Sequence, residues 1–477
     1  MLEGLEISVQ YYKSLSTIID YRIEAEYFDK RFLKIDDIFE RIENTTFFSV
    51  ANYENGRAYN SEEFSVLQLE NGVKVSKIGD VTQKRINVNW VEVSELEFLR
   101  QKGNCLIDDD ILMTLTGDPP DVGKVNLFKD NQIKSTWNQR VARVYLQENQ
   151  SIFYSSKVFF IVLYNRFCRE QLERFAKGIR QRNLGVECIE KLRLPILSIT
   201  LQVKLNELIT ESFSLLEAAN STYKSSETLL LGTLGLNNFE PTSEPVNVKC
   251  FKESFLSTGR LDAEYYQKKY EDYEKVIKFG GLGFTSITNE YTLIKNVSRK
   301  DKESYNYIEI GDVNVSDGSA TYNFLNSSEL PANAKTEVER GDILISKVRS
   351  NRGAVTIIDF DAENLIVSGA FTVLREKENS VFSNETLKVL LRTSVYKDWL
   401  LQFNIGTQYP VIRDEDILKM PIPKIPKEIQ EEITQKIQIS QSLKKQSEQL
   451  LETAKRAVEI AIEEGEEMAM EYIRGYK

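Results

Sequence analysis

The segment RIEAEYFDKRF, residues 22–32, returns later in the chain as RLDAEYYQKKY, residues 260–270. Further strings then repeat in the same order, and the offset between the copies falls slowly along the chain. They are IGDV at Ile78 and Ile310, DIL at Asp110 and Asp342, a glycine at Gly123 and Gly353, and LRLPI at Leu192 against LKMPI at Leu418. Collinear matches with a drifting offset predict a tandem duplication that covers almost the whole chain.

Both copies show a β-rich block followed by one long helix. Short apolar runs cut by Gly, Asn, Asp and Pro predict strands and turns. Examples are KVFFIVLY from Lys157, GDILIS and AVTIIDF. The first helix is predicted from about Leu201 to Leu231. The second is predicted from Pro426 to about Glu464, because proline and acidic residues favour a helix N-terminus. Glycines and prolines after the first helix predict a linker.

Each predicted helix carries a stripe of alternating four- and three-residue steps, which is a coiled-coil period. The stripes include Leu205, Ser212 and Leu215 in the first helix, and Ile433, Ser440, Leu443 and Ser447 in the second. Each helix could pack on its own β block. Alternatively, the two helices pair with each other, which their length of about 50 Å favours. The second interpretation predicts an α+β fold with two β-rich domains, an antiparallel coiled coil and a pseudo-twofold repeat.

The composition excludes several classes of site. The 477 residues include no histidine and only four cysteines, so nucleophilic triads and His-ligated metals are excluded and no CxxC zinc spacing occurs. No GxxxxGK[ST] phosphate loop is present. Sparse cysteine, the lack of a signal peptide and the lack of an apolar run of about 18 residues predict a cytoplasmic protein.

The balance of 61 basic and 72 acidic residues, a net charge of −11, argues mildly against nucleic-acid binding by the chain as a whole. Two matched loops differ from this average. Residues 177–193 hold five basic residues against two acids, and residues 345–355 hold three and no acid. Arginine can pair with a guanine edge, and Asn or Gln with adenine. These loops are predicted to contact DNA, with a solvated surface loop as the alternative.

The order of these elements resembles the specificity (S) subunit of Type I restriction-modification enzymes, the HsdS family. The resemblance is carried by the DIL string with a glycine-containing loop after it in both halves. It is also carried by GTQYPVIRDEDILKMPIPKIPKEIQEEI, residues 406–433. The first-half version, KGIRQRNLGVECIEKLRLPIL at residues 177–197, departs from the pattern because it lacks the Gly-Thr pair.

The resemblance implies a subunit with no catalytic residues and no bound metal. Its two target recognition domains would each read half of a bipartite DNA site, and its helices would set their separation. It would dock two methyltransferase subunits, which bind S-adenosylmethionine, and possibly two restriction motor-nuclease subunits. The implied domains are a first recognition domain (1–198), a spacer helix (199–236), a linker with the second recognition domain (237–424), and a second spacer helix with the C-terminal tail (425–477).

The predicted DNA-binding residues come from the basic loops and their flanks. They are Lys84, Arg85, Lys124, Arg180, Gln181, Arg182, Asn183, Lys347, Arg349, Ser350, Asn351, Arg352, Gln408 and Tyr409. Tyr27 and Tyr265, in the repeated AEY strings with Arg22 and Arg260, are predicted to be structural anchors at a helix start. GDPPDVG, from Gly117, lacks the aromatic residue that a base-flipping methyltransferase loop requires, so it is predicted to be a turn.

A second function fits the same pattern. Two β domains on a coiled coil could form a non-enzymatic structural adaptor that binds proteins. Salt dependence separates the two functions, because DNA binding falls steeply with ionic strength. A magnesium site at residues 108–110 is a weaker prediction than an acidic turn before a strand.

Overall fold

A computed structural model describes residues 24–65, 69, 71–82, 91–118, 121–129, 134–147, 154–178, 181–244, 246–298, 300–406 and 410–476. The described residues form a mixed α+β fold, which confirms the α+β part of the predicted fold class. The α-helices are, in chain order, α1 (Lys30–Arg41), α2 (Phe47–Val50), α3 (Ile78–Thr82), α4 (Glu95–Arg100), α5 (Ser156–Tyr164), α6 (Arg166–Phe175), α7 (Val186–Ile189), α8 (Ile199–Thr233), α9 (Phe255–Thr258), α10 (Lys268–Phe279), α11 (Ile287–Glu290), α12 (Asn384–Arg392), α13 (Ser394–Trp399), α14 (Asp414–Lys419), α15 (Lys427–Glu463) and α16 (Glu466–Gly475).

Short strands and 3-10 turns alternate with these helices. The strands are β1 (Asn44–Thr46), β2 (Ala51–Asn55), β3 (Val73–Ser76), β4 (Val91–Val93), β5 (Ile111–Thr114), β6 (Thr116–Gly117), β7 (Val125–Leu127), β8 (Ser135–Trp137), β9 (Val141–Leu146), β10 (Arg182–Asn183), β11 (Arg193–Pro195), β12 (Phe284–Ser286), β13 (Tyr291–Leu293), β14 (Ser304–Ile308), β15 (Asn323–Asn326), β16 (Ala334–Glu337), β17 (Ile343–Ser346), β18 (Val355–Ile357), β19 (Leu365–Ser368), β20 (Phe371–Glu376) and β21 (Pro421–Pro423). The 3-10 turns are Ala25–Phe28, Ser61–Glu63, Ala263–Tyr266, Ile310–Asp312, Ser350–Arg352 and Leu400–Phe403.

The chain divides into two compact units. Unit 1 comprises Met1–Leu215 and Lys445–Lys477, and unit 2 comprises Leu216–Lys444. The long helices α8 and α15 therefore contribute residues to both units.

The main sheet has the same strand order in the two units. In unit 1 the order is β2-β9-β5-β7, and in unit 2 it is β13-β20-β17-β18, with every neighbouring pair antiparallel. A second sheet contains one parallel pair in each unit, β3 with β8 and β14 with β19. The apolar strings of β5 and β17 are fully buried, so both faces of these central strands are covered. This shared topology supports the duplication that the sequence predicts.

One predicted strand is wrong. KVFFIVLY forms helix α5, Ser156–Tyr164, in the core of unit 1. Ser155 precedes the helix, and its side chain accepts a hydrogen bond from Val158 N at 3.3 Å, which caps the first turn. Because the helix is buried on nearly all sides, its sequence shows no amphipathic period and cannot be told from a buried strand.

The two long helices lie close to the predicted bounds. Small residues of their predicted coiled-coil stripes make contacts between the helices within each unit. In unit 1, buried Ser212 of α8 donates its hydroxyl to the carbonyl of Ser447 in α15 at 2.7 Å. In unit 2, Ser440 of α15 donates its hydroxyl to the carbonyl of Ala219 in α8 at 2.8 Å. These contacts require close backbone approach, which a larger side chain at either serine would prevent.

Candidate nucleic-acid interface

In unit 2, residues 347–352 lie in the connection between strands β17 and β18. At its ends, Ser346 N donates to Ala354 O at 3.0 Å. Two residues of the connection have left-handed backbones, Arg349 with a φ of 50° and Gly353 with a φ of 77°. Glycine adopts this conformation without penalty, whereas arginine does so at a cost. The surrounding loop therefore imposes the Arg349 conformation.

Three side chains of this loop are exposed, namely Arg349, Asn351 and Arg352. Partial burial lowers the pKa of Arg352, and the positive charge of Arg349 lowers it further. Two guanidinium groups that repel each other are stabilised by an anion placed against both. A DNA phosphate or the acceptor edge of a guanine supplies such a group, so this loop has the charge and exposure that DNA binding needs.

The other two predicted residues of this loop are less accessible. Lys347 Nζ lies 3.3 Å from Asp414 Oδ1, and both side chains are about four-fifths buried. Ser350 is 3% exposed, and its hydroxyl has no hydrogen-bond partner among the described residues. Of the five predicted residues of this loop, Arg349, Asn351 and Arg352 are therefore the exposed ones.

A second predicted segment lies beside this loop. Ile405 and Val411 each donate a backbone N–H to the other's carbonyl, at 2.9 and 3.0 Å. Arg349 N donates to Pro410 O at 3.1 Å, which joins the two segments directly. Gln408 and Tyr409, predicted to contact DNA, lie outside the described residues, although both of their flanks are described.

The corresponding turn of unit 1 contains Lys124, between β5 and β7. Its ammonium group lies 2.6 Å from Asp121 Oδ1, so a neighbour in the same turn balances its charge. Thr114 fixes this turn, because its hydroxyl donates to Asp121 O at 2.6 Å and accepts from Lys124 N at 2.9 Å. Gly123 has a φ of 74°, close to that of Gly353 in the unit 2 turn.

The predicted segment Gln181–Asn183 lies next to this turn. Strand β10 pairs with β6, which places Arg182 opposite Gly117 and Asn183 opposite Thr116. Gln181 and Asn183 are exposed. Arg182 donates to Glu26 Oε2 at 3.0 Å and to a backbone carbonyl at 3.1 Å, so its guanidinium is largely engaged within the protein. Lys84, Arg85 and Arg180 lie outside the described residues.

Sequence reasoning missed Arg392, which holds the end of the unit 2 loop. This buried residue of α12 donates to Gly353 O at 2.8 Å and to the hydroxyl of Tyr223 in α8 at 2.7 Å. It also donates to Val315 O at 3.0 Å. No local signal marks Arg392, because it lies in an ordinary helix far along the chain from the loop that it supports.

Two negative findings concern only the residues that the structure describes. None of their helices combines the length and apolarity needed to cross a membrane. No group of three or more Cys, Asp or Glu side chains among them is arranged to hold a metal ion.

Comparison with known families bears on the same part of the chain. Residues 271–453, which include the Arg349 loop, match the family described as Type I restriction modification DNA specificity domain. Residues 271–453 therefore resemble a Type I DNA specificity domain. The sequence resemblance to Type I specificity subunits is thereby confirmed.

A curated relative is also similar to part of the chain. A curated relative, the Type I restriction enzyme HindI specificity subunit of Haemophilus influenzae, is 29% identical over 153 residues. The alignment covers 30% of this chain and about a third (33%) of that relative.

Two solved structures are also similar to the chain. The Type-I restriction-modification system S subunit from M. genitalium has a TM-score of 0.37 and 13% identity, and the match covers 88% of this chain and 95% of that one. The HsdS subunit from Thermoanaerobacter tengcongensis has a TM-score of 0.29 and 12% identity, covering 89% and 97%. These TM-scores are too low for either structure to define the arrangement of this chain.

Proposed function

We propose that this chain is the non-catalytic DNA specificity subunit of a Type I restriction-modification complex, and that it reads a bipartite target with two recognition domains. The observation that carries the proposal is the loop of Arg349, Asn351 and Arg352. It is exposed, it repeats in position the Lys124 turn of unit 1, and it lies inside the matched specificity domain. Divergent polar loops on a shared sheet topology suit two different half-sites.

The proposal assigns residues 1–198 and 237–424 to the two recognition domains. The helices of segments 199–236 and 425–477 would pair as an antiparallel coiled coil that sets the distance between the half-sites. The hydrogen bonds of Ser212 and of Ser440 to the opposite helix support this pairing. A pseudo-twofold axis would then relate the two halves of the chain.

Adenine methylation would come from partner subunits. Two methyltransferase subunits would dock on the quasi-equivalent halves, and each would bring its own S-adenosylmethionine to one half-site. Restriction motor-nuclease subunits would convert the complex into an endonuclease in the cytoplasm. The chain itself contributes recognition and spacing, since it lacks histidine and the phosphate-loop and base-flipping motifs.

A modified-base map of a plasmid library tests the proposal. The chain is co-expressed with the methyltransferase encoded beside it, and that methyltransferase is also expressed alone. We expect a split adenine-methylation motif only when this chain is present. An identical map with and without the chain, or DNA binding that does not weaken with salt, would instead support the protein-binding adaptor.

Replacing both Arg349 and Arg352 by alanine is expected to relax one half-site and to leave the other unchanged. A bidentate contact to a base contributes about 1–3 kcal/mol of discrimination, so the loss should be about fivefold or more at the affected base. The same methylation map measures this change.

Arg340→Ala is the matched control, because Arg340 is exposed near the opposite end of β17 and pairs with Asp361. It should leave both half-sites intact. A uniform loss of methylation without any change of motif in the double variant would mean that Arg349 and Arg352 touch only phosphates.

A further inference from the structure

The repeated AEY string of unit 2 does more than begin a helix. It forms the 3-10 turn Ala263–Tyr266, which packs against the turn Leu400–Phe403. Gln402 Nε2 donates to Tyr265 O at 3.0 Å, and the rings of Tyr265 and Phe403 lie 6.2 Å apart at an angle of 80°. The Leu400–Phe403 turn leads directly into the Ile405–Val411 segment of the candidate interface.

Arg260, the first residue of the repeated string, also contacts the end of the Leu400–Phe403 turn. Its guanidinium holds Asp262 through two hydrogen bonds of 2.8 and 2.6 Å and lies 4.5 Å from the centre of the Tyr265 ring. The same Nη2 atom donates to Asn404 O at 2.9 Å. Hydrogen bonding to Asp262 raises the pKa of Arg260, so its guanidinium group stays charged. Arg260 therefore fixes the backbone immediately before Ile405.

A short series of direct contacts continues from Asn404 to the basic loop. Ile405 is the next residue, and it exchanges two backbone hydrogen bonds with Val411. Pro410, beside Val411, accepts the hydrogen bond from Arg349 N. Since Arg349 has a left-handed backbone that arginine does not prefer, its position depends on supports of this kind.

Unit 1 contains equivalent contacts at the corresponding positions. Arg174 Nε donates to Tyr27 O at 2.8 Å, as Gln402 does to Tyr265 O. The rings of Tyr27 and Phe175 lie 6.5 Å apart. Lys177 and Asn183 exchange two backbone hydrogen bonds, at 2.9 and 2.8 Å, as Ile405 and Val411 do.

The unit 1 turn also touches the candidate interface itself. Glu26 of the AEY string accepts the hydrogen bond from Arg182 at 3.0 Å, and Arg182 lies in the predicted DNA-binding segment. The two copies thus share one arrangement, in which the tyrosine–phenylalanine pair recurs and only the donor to the tyrosine carbonyl differs, Arg174 in unit 1 and Gln402 in unit 2. In both units the repeated turn therefore contacts the segment that leads to the basic loop.

We propose that the repeated AEY turn is a brace that positions the adjacent DNA-reading loop, with Arg260 and Tyr265 as positioning residues for the half-site read by unit 2. The inference rests on the proposed function. Tyr27 and Glu26 serve the same purpose in unit 1. The brace acts on base discrimination through Asn404, the Ile405–Val411 pair and the backbone of Arg349, and it makes no contact with DNA itself.

The test uses the full chain with Arg260→Ala, co-expressed with its methyltransferase and read by the modified-base map. We expect about fivefold or more weaker discrimination in one half-site, the same one that the Arg349 and Arg352 replacement relaxes, with the other half-site unchanged. Arg260→Lys should recover only part of this loss, because lysine lacks the planar guanidinium group that donates to both Asp262 and Asn404. Lys252→Ala, exposed in the preceding segment, is the control.

Gln402→Glu is the second variant, for use if Arg260→Ala does not accumulate. It removes the donor to Tyr265 O but keeps an acceptor for Trp399 Nε1, which lies 3.0 Å from Gln402 Oε1. An unchanged motif in the variants, or equal loss of both half-sites with a lower melting temperature, would overturn the brace. If the unsubstituted chain gives no split motif, the proposed function fails instead.

Discussion

Inserting four residues into both long helices is expected to lengthen the unread spacer of the DNA target by about two base pairs and to leave both half-sites unchanged. The insertions are placed between Leu215 and Leu216 of α8 and between Lys444 and Lys445 of α15. Four helical residues add about 6 Å, and one base-pair step of B-DNA spans about 3.4 Å. The modified-base map gives the spacer length directly.

These positions are chosen from the contacts of the two helices. Unit 2 is the continuous segment Leu216–Lys444, so both insertions fall where the chain passes from one unit to the other. The Ser212–Ser447 contact lies within unit 1 and the Ser440–Ala219 contact within unit 2, so the paired insertions keep both. Good helix formers such as alanine and leucine should be inserted, so that both helices continue.

Two control insertions distinguish an effect of helix length from disruption of the structure. The same four residues inserted in α8 alone would shift one helix by about 6 Å along the other, so one of the two serine contacts must break, and methylation should fall. Four residues between Ser243 and Glu244, both exposed, should leave the original motif intact. If the paired insertion altered a base within a half-site, the helices would not act as a spacer.

The duplication and the long helices could be predicted from the sequence, because both leave periodic signals. The structure places the helices within a few residues of their predicted bounds, and the DIL strings form the equivalent strands β5 and β17. KVFFIVLY could not be assigned correctly, because a helix buried on all sides loses its 3.6-residue period. Its cap, Ser155, is the local signal that could have identified it.

The candidate interface was predicted only in part. Basic residues in matched loops were identified, but the sequence cannot show which charges are balanced by distant partners. Lys347 faces Asp414 of α14, and Arg182 faces Glu26 of the AEY turn. These partners approach only after the strands and turns between them have folded. The exposed set of Arg349, Asn351 and Arg352 therefore required the structure.

A large loss of stability is expected for Arg375→Ala. Asp342, the acid of the repeated DIL string, is completely buried, and Arg375 of β20 bonds its two oxygens at 2.7 and 2.9 Å. These hydrogen bonds raise the pKa of Arg375, as expected for a charge-assisted pair. Within the described part of the chain, the Asp342 carboxylate would then keep only the hydrogen bond from Glu339 N, at 3.0 Å.

The expected change is a decrease of about 3 kcal/mol in the free energy of unfolding of unit 2. Removing one member of a buried pair costs roughly 3–5 kcal/mol, and the lower end applies because Arg375 is 34% exposed and solvent screens part of the interaction. Urea denaturation followed by tryptophan fluorescence, to which Trp399 in the core of unit 2 contributes, measures the change. Arg340→Ala removes a pair whose members are 61% and 78% exposed, so it should cost less than about 1 kcal/mol.

The same pair recurs in unit 1, where Arg143 Nε lies 2.7 Å from Asp110, which is 4% exposed. Burial raises the pKa of Asp110, and the hydrogen bond from Ile107 N and the positive charge of Arg143 only partly oppose this rise. Arg143 supplies the opposite charge beside this buried carboxyl group, so Arg143→Ala should destabilise unit 1 as Arg375→Ala destabilises unit 2. If Arg375→Ala and Arg340→Ala unfolded at the same urea concentration, the repeated aspartate would be conserved between the two copies for a reason other than stability.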